Sequence, residues 1–358
     1  MNARMCRTGR GPTKPDHARG PLPAVAATMA MVLAGCAGNA ETTTDTAEVT
    51  VTNCDERVTY PQPAALFVNS PNKVAMVLAI GAAEQLVGVA GIAGDKDVLR
   101  NVYGEDVVDD LPIASADYPT FENVIAQQPE VYVAGWSSGY DEQTNLTPDG
   151  LADHDIAAYT ASYTCRQQSG DARGIMPPWQ ALTTDLANLG DITGHQQQAQ
   201  DVVADVEARL DALRSAPQAK DEPTVFLFDS GTKDVLSSGS FGAPQAIIEA
   251  AGGRNALEDV DETWTSVSWE RLASSQPDFI AFNDYGDQSL SDKIDVLRSN
   301  PATKDLPAVE EGRFIGIPIS AWTSGPLNID AAEALRDELE QWDLAPDSDI
   351  SPEHDLTG

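Results

Sequence analysis

Basic residues are scarce in this chain: of 358 residues, 22 are Lys or Arg against 56 Asp or Glu, a formal net charge of −34. A field of that sign disfavours nucleic acid and anionic lipid, and keeps the body dispersed in water. Histidine is rarer still. His17, His154, His195 and His354 are the whole set, and none stands at ligand spacing to another, which argues against direct capture of a bare zinc or manganese ion. Four cysteines are present, again without zinc-site spacing. The chain has no phosphate-binding loop and no dinucleotide fingerprint. No apolar run reaches the ~20 residues of a membrane-spanning helix.

What is present at the start is an export pattern. Arg4, Arg7, Arg10, Lys14 and Arg19 precede an apolar run from Leu22 to Leu33, a basic segment followed by a short apolar core. Leu33-Ala34-Gly35-Cys36 then resembles the bacterial lipobox, in which the cysteine is acylated and the chain is cut before it. Residues 1–35 are read as a lipoprotein signal peptide and Cys36 as the lipidation site; cleavage by ordinary signal peptidase and an uncleaved anchor are the alternatives. Without residues 1–35 the chain keeps 17 basic and 55 acidic residues, a net near −38. Residues 36–53, rich in Thr, Ala and acid, read as a flexible tether.

Cysteine parity adds a staple. Cys6 lies in the signal and Cys36 carries lipid, so Cys54 and Cys165 are left to pair in an oxidising compartment, the alternative being two buried free thiols.

The clearest internal signal is a repeat. Residues 121–134, FENVIAQQPEVYVA, align without gaps on residues 269–282, WERLASSQPDFIAF. Each copy gives an aromatic, Glu, a short helix, Gln-Pro, an acid and an apolar strand. Proline and acid punctuate the helix-to-strand turn. Copies 148 positions apart mark two related lobes rather than a solenoid. In the first lobe the pattern predicts strands over 64–68, 85–90, 131–135 and 156–159, with helices over 72–80 and 121–128. In the second it predicts strands over 224–229, 279–282 and 313–317, with helices over 244–251, 291–298 and 329–342. Strands apolar throughout, separated by helices, imply mostly parallel sheets covered on both faces. Between the lobes, Ala199, Val202, Val203, Val206, Leu210 and Leu213 form the apolar stripe of a long connecting helix, which Gly190 and Gly194 are placed to interrupt. The expected organisation is an N-terminal α/β lobe over 54–177, a connecting helix over 178–216, a C-terminal α/β lobe over 217–345 and an acidic tail over 346–358.

The lipobox, acidic tether, Asn53-Cys54, both Glu-containing repeat units, the connecting helix and the run Gly242-Ala243-Pro244, Gly252-Gly253-Arg254-Asn255, Thr263-Trp264 through Trp269-Glu270 together resemble the helical-backbone (class III) substrate-binding lipoproteins of ABC importers. Within them, the ferric-siderophore and cobalamin branch is the more similar. The resemblance spans roughly residues 50–342. It implies two Rossmann-like α/β lobes joined by a single long helix with a ligand cleft between them, and a monomer lipid-anchored on the extracytoplasmic face of the membrane. The implied partners are a permease and its ATPase, with no intrinsic cofactor; the cargo is a metal chelate, expected to be a ferric siderophore. It also implies that Glu122 and Glu270, one per lobe, pair with permease arginines; favouring the first turn of their own helices is the competing role.

Ligand contacts are expected from loops after successive strands. Trp136 and Tyr140, Phe241, Tyr285 and Trp322 offer flat apolar walls with polar tips, local packing being the alternative for each. Arginines are few in these loops, Arg166 and Arg173 being the nearest basic residues, and with the chain's strong acidity this favours neutral or cationic chelates such as hydroxamates over catecholates. Cobalamin, haem and a deazaflavin-coenzyme precursor are the competing cargoes. An exported hydrolase is the remote alternative: Ser238-Gly239-Ser240-Phe241-Gly242 only superficially matches a nucleophile elbow, lacking its first glycine and any identifiable base.

Overall fold

The computed structural model describes residues 47–166, 174, 176–286 and 288–356. The expected signal peptide, Cys36 and Arg173 lie outside them. Among the described residues no helix is long and apolar enough to cross a membrane.

The N-terminal half opens with a hairpin, β1 (Ala47–Asn53) and β2 (Glu56–Gln62), paired antiparallel. Here the expected tether is corrected. Residues 47–53 alternate Val49 and Val51 with Thr50 and Thr52, a period-two pattern, and Val51 and Tyr60 are buried. The hairpin is fixed to the lobe by Asn53, whose amide bonds both the N–H and the carbonyl of Thr160, and by a Cys54–Cys165 disulfide.

Then follow β3 (Leu66–Asn69), α1 (Pro71–Ala79), β4 (Leu86–Ala90), α2 (Lys96–Tyr103), α3 (Glu105–Asp109), β5 (Ile113–Ser115) and α4 (Phe121–Ala126). The half is completed by β6 (Val131–Trp136), β7 (Gly139–Tyr140), α5 (Pro148–Ala152) and β8 (Ala157–Thr160). A parallel sheet results, in the order β5-β4-β3-β6-β7 with β8 also on β6.

The connection is two helices, α6 (Pro178–Thr193) and α7 (Gln196–Ser215), not one rod. Gly194 takes a left-handed conformation at φ 79° and ends α6, the position glycine fills without steric cost. Gly190 stays helical for a different reason: a Cβ there would lie 2.4 Å from that of Ala199, so the missing side chain lets α7 close on α6.

The C-terminal half has β9 (Thr224–Phe228), β10 (Val235–Ser238), α8 (Ala243–Ala250), β11 (Arg254–Asn255), β12 (Trp264–Val267), α9 (Trp269–Ser274) and β13 (Phe279–Asp284). It ends with α10 (Leu290–Ser299), α11 (Pro307–Glu311), β14 (Phe314–Pro318), α12 (Ile319–Trp322) and α13 (Asn328–Gln341). Its parallel sheet runs β11-β9-β13-β14, with β10 and β12 as a separate antiparallel pair.

Strand side chains alternate between faces, and this builds the core. Leu66, Val68, Val131 and Val133 of one sheet share a single buried cluster with Val225, Leu227, Phe279 and Ala281 of the other, together with residues of α1, α6, α7, α8 and α13. The opposite faces have their own clusters, around Phe67 and Tyr132 in one lobe and Phe226, Phe228 and Phe282 in the other. The acidic C-terminal stretch is packed rather than free as far as Leu356, which is buried: Ser348 bonds Glu340, and His354 bonds Asp330.

Candidate functional site

The duplicated units hold their lobes together by one device. Thr120 caps α4 and Ser268 caps α9, each hydroxyl accepting from the backbone N–H three residues on, the usual partner for an orphan N–H at a helix start. Gln128 and Gln276 then turn with positive φ. The acid after the proline reaches the neighbouring strand: Glu130 accepts from Ala65 N–H at 2.8 Å, and Asp278 from Thr224 N–H at 2.8 Å. Glu122 and Glu270 stand exposed in the first turns of α4 and α9. Both carboxyls are held below the ordinary glutamate value by hydrogen bonds from their own backbone and from the cap side chains Thr120 and Ser268. They therefore do serve their own helices, while remaining open to solvent.

The lobes meet through α1 and α12. Asn72 donates to the Ser324 carbonyl at 2.7 Å, and Asp95 accepts from Ser320 N–H at the start of α12 at 2.9 Å. Burial is the first cause raising the Asp95 carboxyl; Asp284 adds to it, against the Ser320 hydrogen bonds.

On the N-terminal side of this junction lies a polar cluster. Lys73 of α1 is fully buried and donates to Ser138 Oγ at 3.0 Å and Tyr163 Oη at 3.3 Å. Burial raises the Tyr163 hydroxyl, but the Lys73 charge and hydrogen bonds with Ser138, Lys73 and Asn72 outweigh it and bring the group below its ordinary value. Behind Lys73, Asp185 accepts from Ser162 N–H, Ser162 Oγ and Tyr159 Oη; burial still pushes it up to about 6.

On the C-terminal side, Asp229 follows β9 and accepts from Ser230 Oγ and Asn283 Nδ2. Lys293 of α10 donates to the carbonyls of Asn283 and Tyr285.

The aromatic residues expected to line the cleft divide. Trp136 is half-buried, with the Arg166 guanidinium 3.7 Å from its ring centroid and Tyr140 at 5.1 Å on centroids. Arg166 is also paired with Glu142 at 2.8 Å. Tyr285 is 51% exposed. Phe241 is half-buried and lines a small cavity of about 20 Å³ with Tyr163, Met176, Trp264 and Trp322. That is room for about one water, against the several hundred Å³ of a typical ligand pocket. Two expectations are corrected. Trp322 belongs to α12, not to a loop, is fully buried, and spends its indole N–H on the Phe282 carbonyl. Tyr140 is 6% exposed within the core cluster of Tyr132 and Leu151. Trp322 is turned into the core from the short helix α12, and Tyr140 by its place in β7, paired with β6.

Sequence reasoning missed Lys73, Ser138, Tyr163, Asp95 and Asp229. A lysine inside the apolar helix PNKVAMVLA was the available signal. The others sit in short turns with no periodicity to expose them.

With this geometry in place, similarity to known proteins is informative. A vitamin B12-binding protein of Yersinia pseudotuberculosis serotype O:3 (strain YPIII) is 24% identical over 242 residues, 67% of this chain and 76% of that one. The crystal structure of a periplasmic binding protein from Veillonella parvula dsm 2008 superposes with a TM-score of 0.69 at 21% identity, covering 82% of this chain and 98% of the other. An ABC-type Fe3+-hydroxamate transport system structure from Saccharomonospora viridis DSM 43017 gives 0.66 at 19% identity, over 81% and 98%. The family model described as periplasmic binding protein matches residues 68–321, well over half the length, and the chain belongs to that family.

Proposed function

We propose that the protein is the solute-binding component of an ABC importer, lipid-anchored through Cys36 on the extracytoplasmic face, which takes up an iron-siderophore chelate between its lobes and delivers it to the permease and its ATPase. The observation that carries this reading is the junction itself. Two α/β lobes meet at the loops that follow their strands, bridged at Asp95–Ser320 and Asn72–Ser324, with Phe241 lining a small cavity against Trp322 and Ser324. Glu122 and Glu270 are the docking acids of this reading, one exposed carboxylate per lobe, suited to arginine forks on a two-fold permease. The likeness to the Fe3+-hydroxamate structure supports an iron chelate as cargo; the likeness to the vitamin B12-binding protein supports cobalamin as the second reading.

The test is a titration followed by intrinsic tryptophan fluorescence, with a ferric trihydroxamate, cyanocobalamin and haemin as ligands. Saturable one-to-one quenching by the ferric chelate, weakened in Trp136→Ala, is expected. Saturation by cyanocobalamin or haemin alone would overturn the siderophore assignment in favour of that ligand.

A further inference from the structure

Around Tyr285 the cleft is acidic. Partial burial raises its hydroxyl, and Tyr118, Asp229, Asp95 and Asp117 each push it further, so residues of both lobes surround this one ring. Asp284 precedes it in the chain. A cation near these groups is Lys293, whose amine burial holds below its ordinary value against the opposing pull of Asp229 and Asp284, but it is fully buried and bonded to two carbonyls. Two of these carboxylates, Asp229 and Asp284, thus meet an ammonium already engaged. They do not form a metal cage: among the described residues no group of three or more His, Cys, Asp or Glu could hold a metal ion.

A second observation points the same way. Two fully buried amides, one from each lobe, leave their oxygens without partners: Asn69 Oδ1 and Asn283 Oδ1. Asn283 spends its nitrogen on Asp229 and keeps its oxygen, on the other edge of the amide, without a partner. Asn69 Oδ1 lies against the Gly91 turn, where an added Cβ would meet it at 3.4 Å and Tyr118 at 3.5 Å. A buried acceptor left unsatisfied is unfavourable, and a ligand that brings hydrogen-bond donors removes that cost on both walls.

We propose that the solute carries a positively charged, donor-bearing group of the protonated-amine class, which enters between Tyr118 and Tyr285 and is held by Asp229, Asp284, Asp95 and Asp117, with Asn69 and Asn283 accepting from it. Tyr118 and Tyr285 are 56% and 51% exposed, open faces over which an ammonium is attracted. The chain's net charge of −34 draws such a ligand in. This inference rests on the lobes' junction being the solute site.

The experiment uses two ferric chelates with the same linear trihydroxamate core, one ending in a free amine and one N-acetylated, titrated into the full chain at low and high salt. The amine form should bind at least about tenfold tighter, with the advantage shrinking as salt rises. In Asp117→Asn/Asp284→Asn, two exposed positions that leave the packing untouched, most of that advantage should vanish while the acetylated chelate binds as before. Equal affinity for the two chelates would overturn charge recognition and leave chelate binding standing. An undiminished advantage in the double variant would overturn the assignment to these carboxylates. Binding of neither chelate would overturn both this inference and the siderophore reading.

Discussion

In the N-terminal lobe Glu130 reaches back to the N–H of Ala65, and in the C-terminal lobe Asp278 reaches back to the N–H of Thr224, at the same distance and the same point of the repeat. Across the cleft the correspondence ends. The N-terminal wall presents Lys73, Ser138 and Tyr163, with Arg166 over Trp136; the C-terminal wall presents Asp229, Asp284 and Tyr285. The lobes also differ in covalent support, since the Cys54–Cys165 disulfide staples the first and nothing comparable occurs among the described residues of the second. The duplicated part is the part that holds strands in place, and the divergent part is the set of loops at the strand ends, where the proposed solute site lies. A repeat can keep its supporting contacts fixed while loops at the strand ends change their chemistry.

The largest way to break this comparison is to remove the staple. The bridge spans 111 positions, and in the chain-entropy model opening it costs about 5 kcal/mol. Cys54→Ser/Cys165→Ser should lower the denaturant midpoint accordingly, with hydrogen exchange rising first in the β1–β2 hairpin. Uniform loosening of both lobes would show that the staple serves the whole body.

Next come the two tryptophans that the chain pattern treats as equals. Trp322→Ala should destabilise by about 3–5 kcal/mol, because a fully buried ring is lost from the core. Trp136→Ala should cost under about 1 kcal/mol and act on ligand binding instead. Thermal melts and titrations of both variants would separate the roles.

The polar cluster gives a smaller, pH-dependent effect. Asp185 is pushed up to about 6 from 3.8 by burial. Below the lower value both folded and unfolded chains hold the proton. Between the two values only the folded chain does, so stability falls as pH rises through that window, by roughly 3 kcal/mol in all. Asp185→Asn should remove this slope, read as the difference in unfolding free energy between pH ~4 and ~7 relative to wild type. An unchanged slope would place the titration elsewhere.

The smallest effect concerns the shared device. Glu130→Ala and Asp278→Ala should each cost about 1 kcal/mol, Asp278 the more, since it is half-buried while Glu130 is exposed. A null result at one site alone would break the equivalence of the repeats.

Much of this architecture was legible in the sequence because periodicity carries it. The apolar strands at 131–134 and 279–282, the helices flanking them and the cysteine pairing follow from pattern and parity. The β1–β2 hairpin was not, since its Thr/Val alternation shares the composition of a linker. The connecting rod became two helices because Gly194 ends one while Gly190 admits the other. The site was the least legible part. Trp322 and Tyr140 look like loop aromatics until the helix and strand that carry them are known, and the orphan oxygens of Asn69 and Asn283 depend on distances that no spacing encodes.

The account holds that the outer acids of the repeat serve delivery while the inner loops serve binding. The measurement that tests it most directly pairs solution affinity with cellular uptake of the same ferric chelate for Glu122→Lys/Glu270→Lys. Affinity should stay within about twofold of wild type, while uptake falls at least about tenfold as like charges meet across the permease interface. Normal uptake at wild-type abundance would contradict the account, leaving these glutamates to their own helices alone.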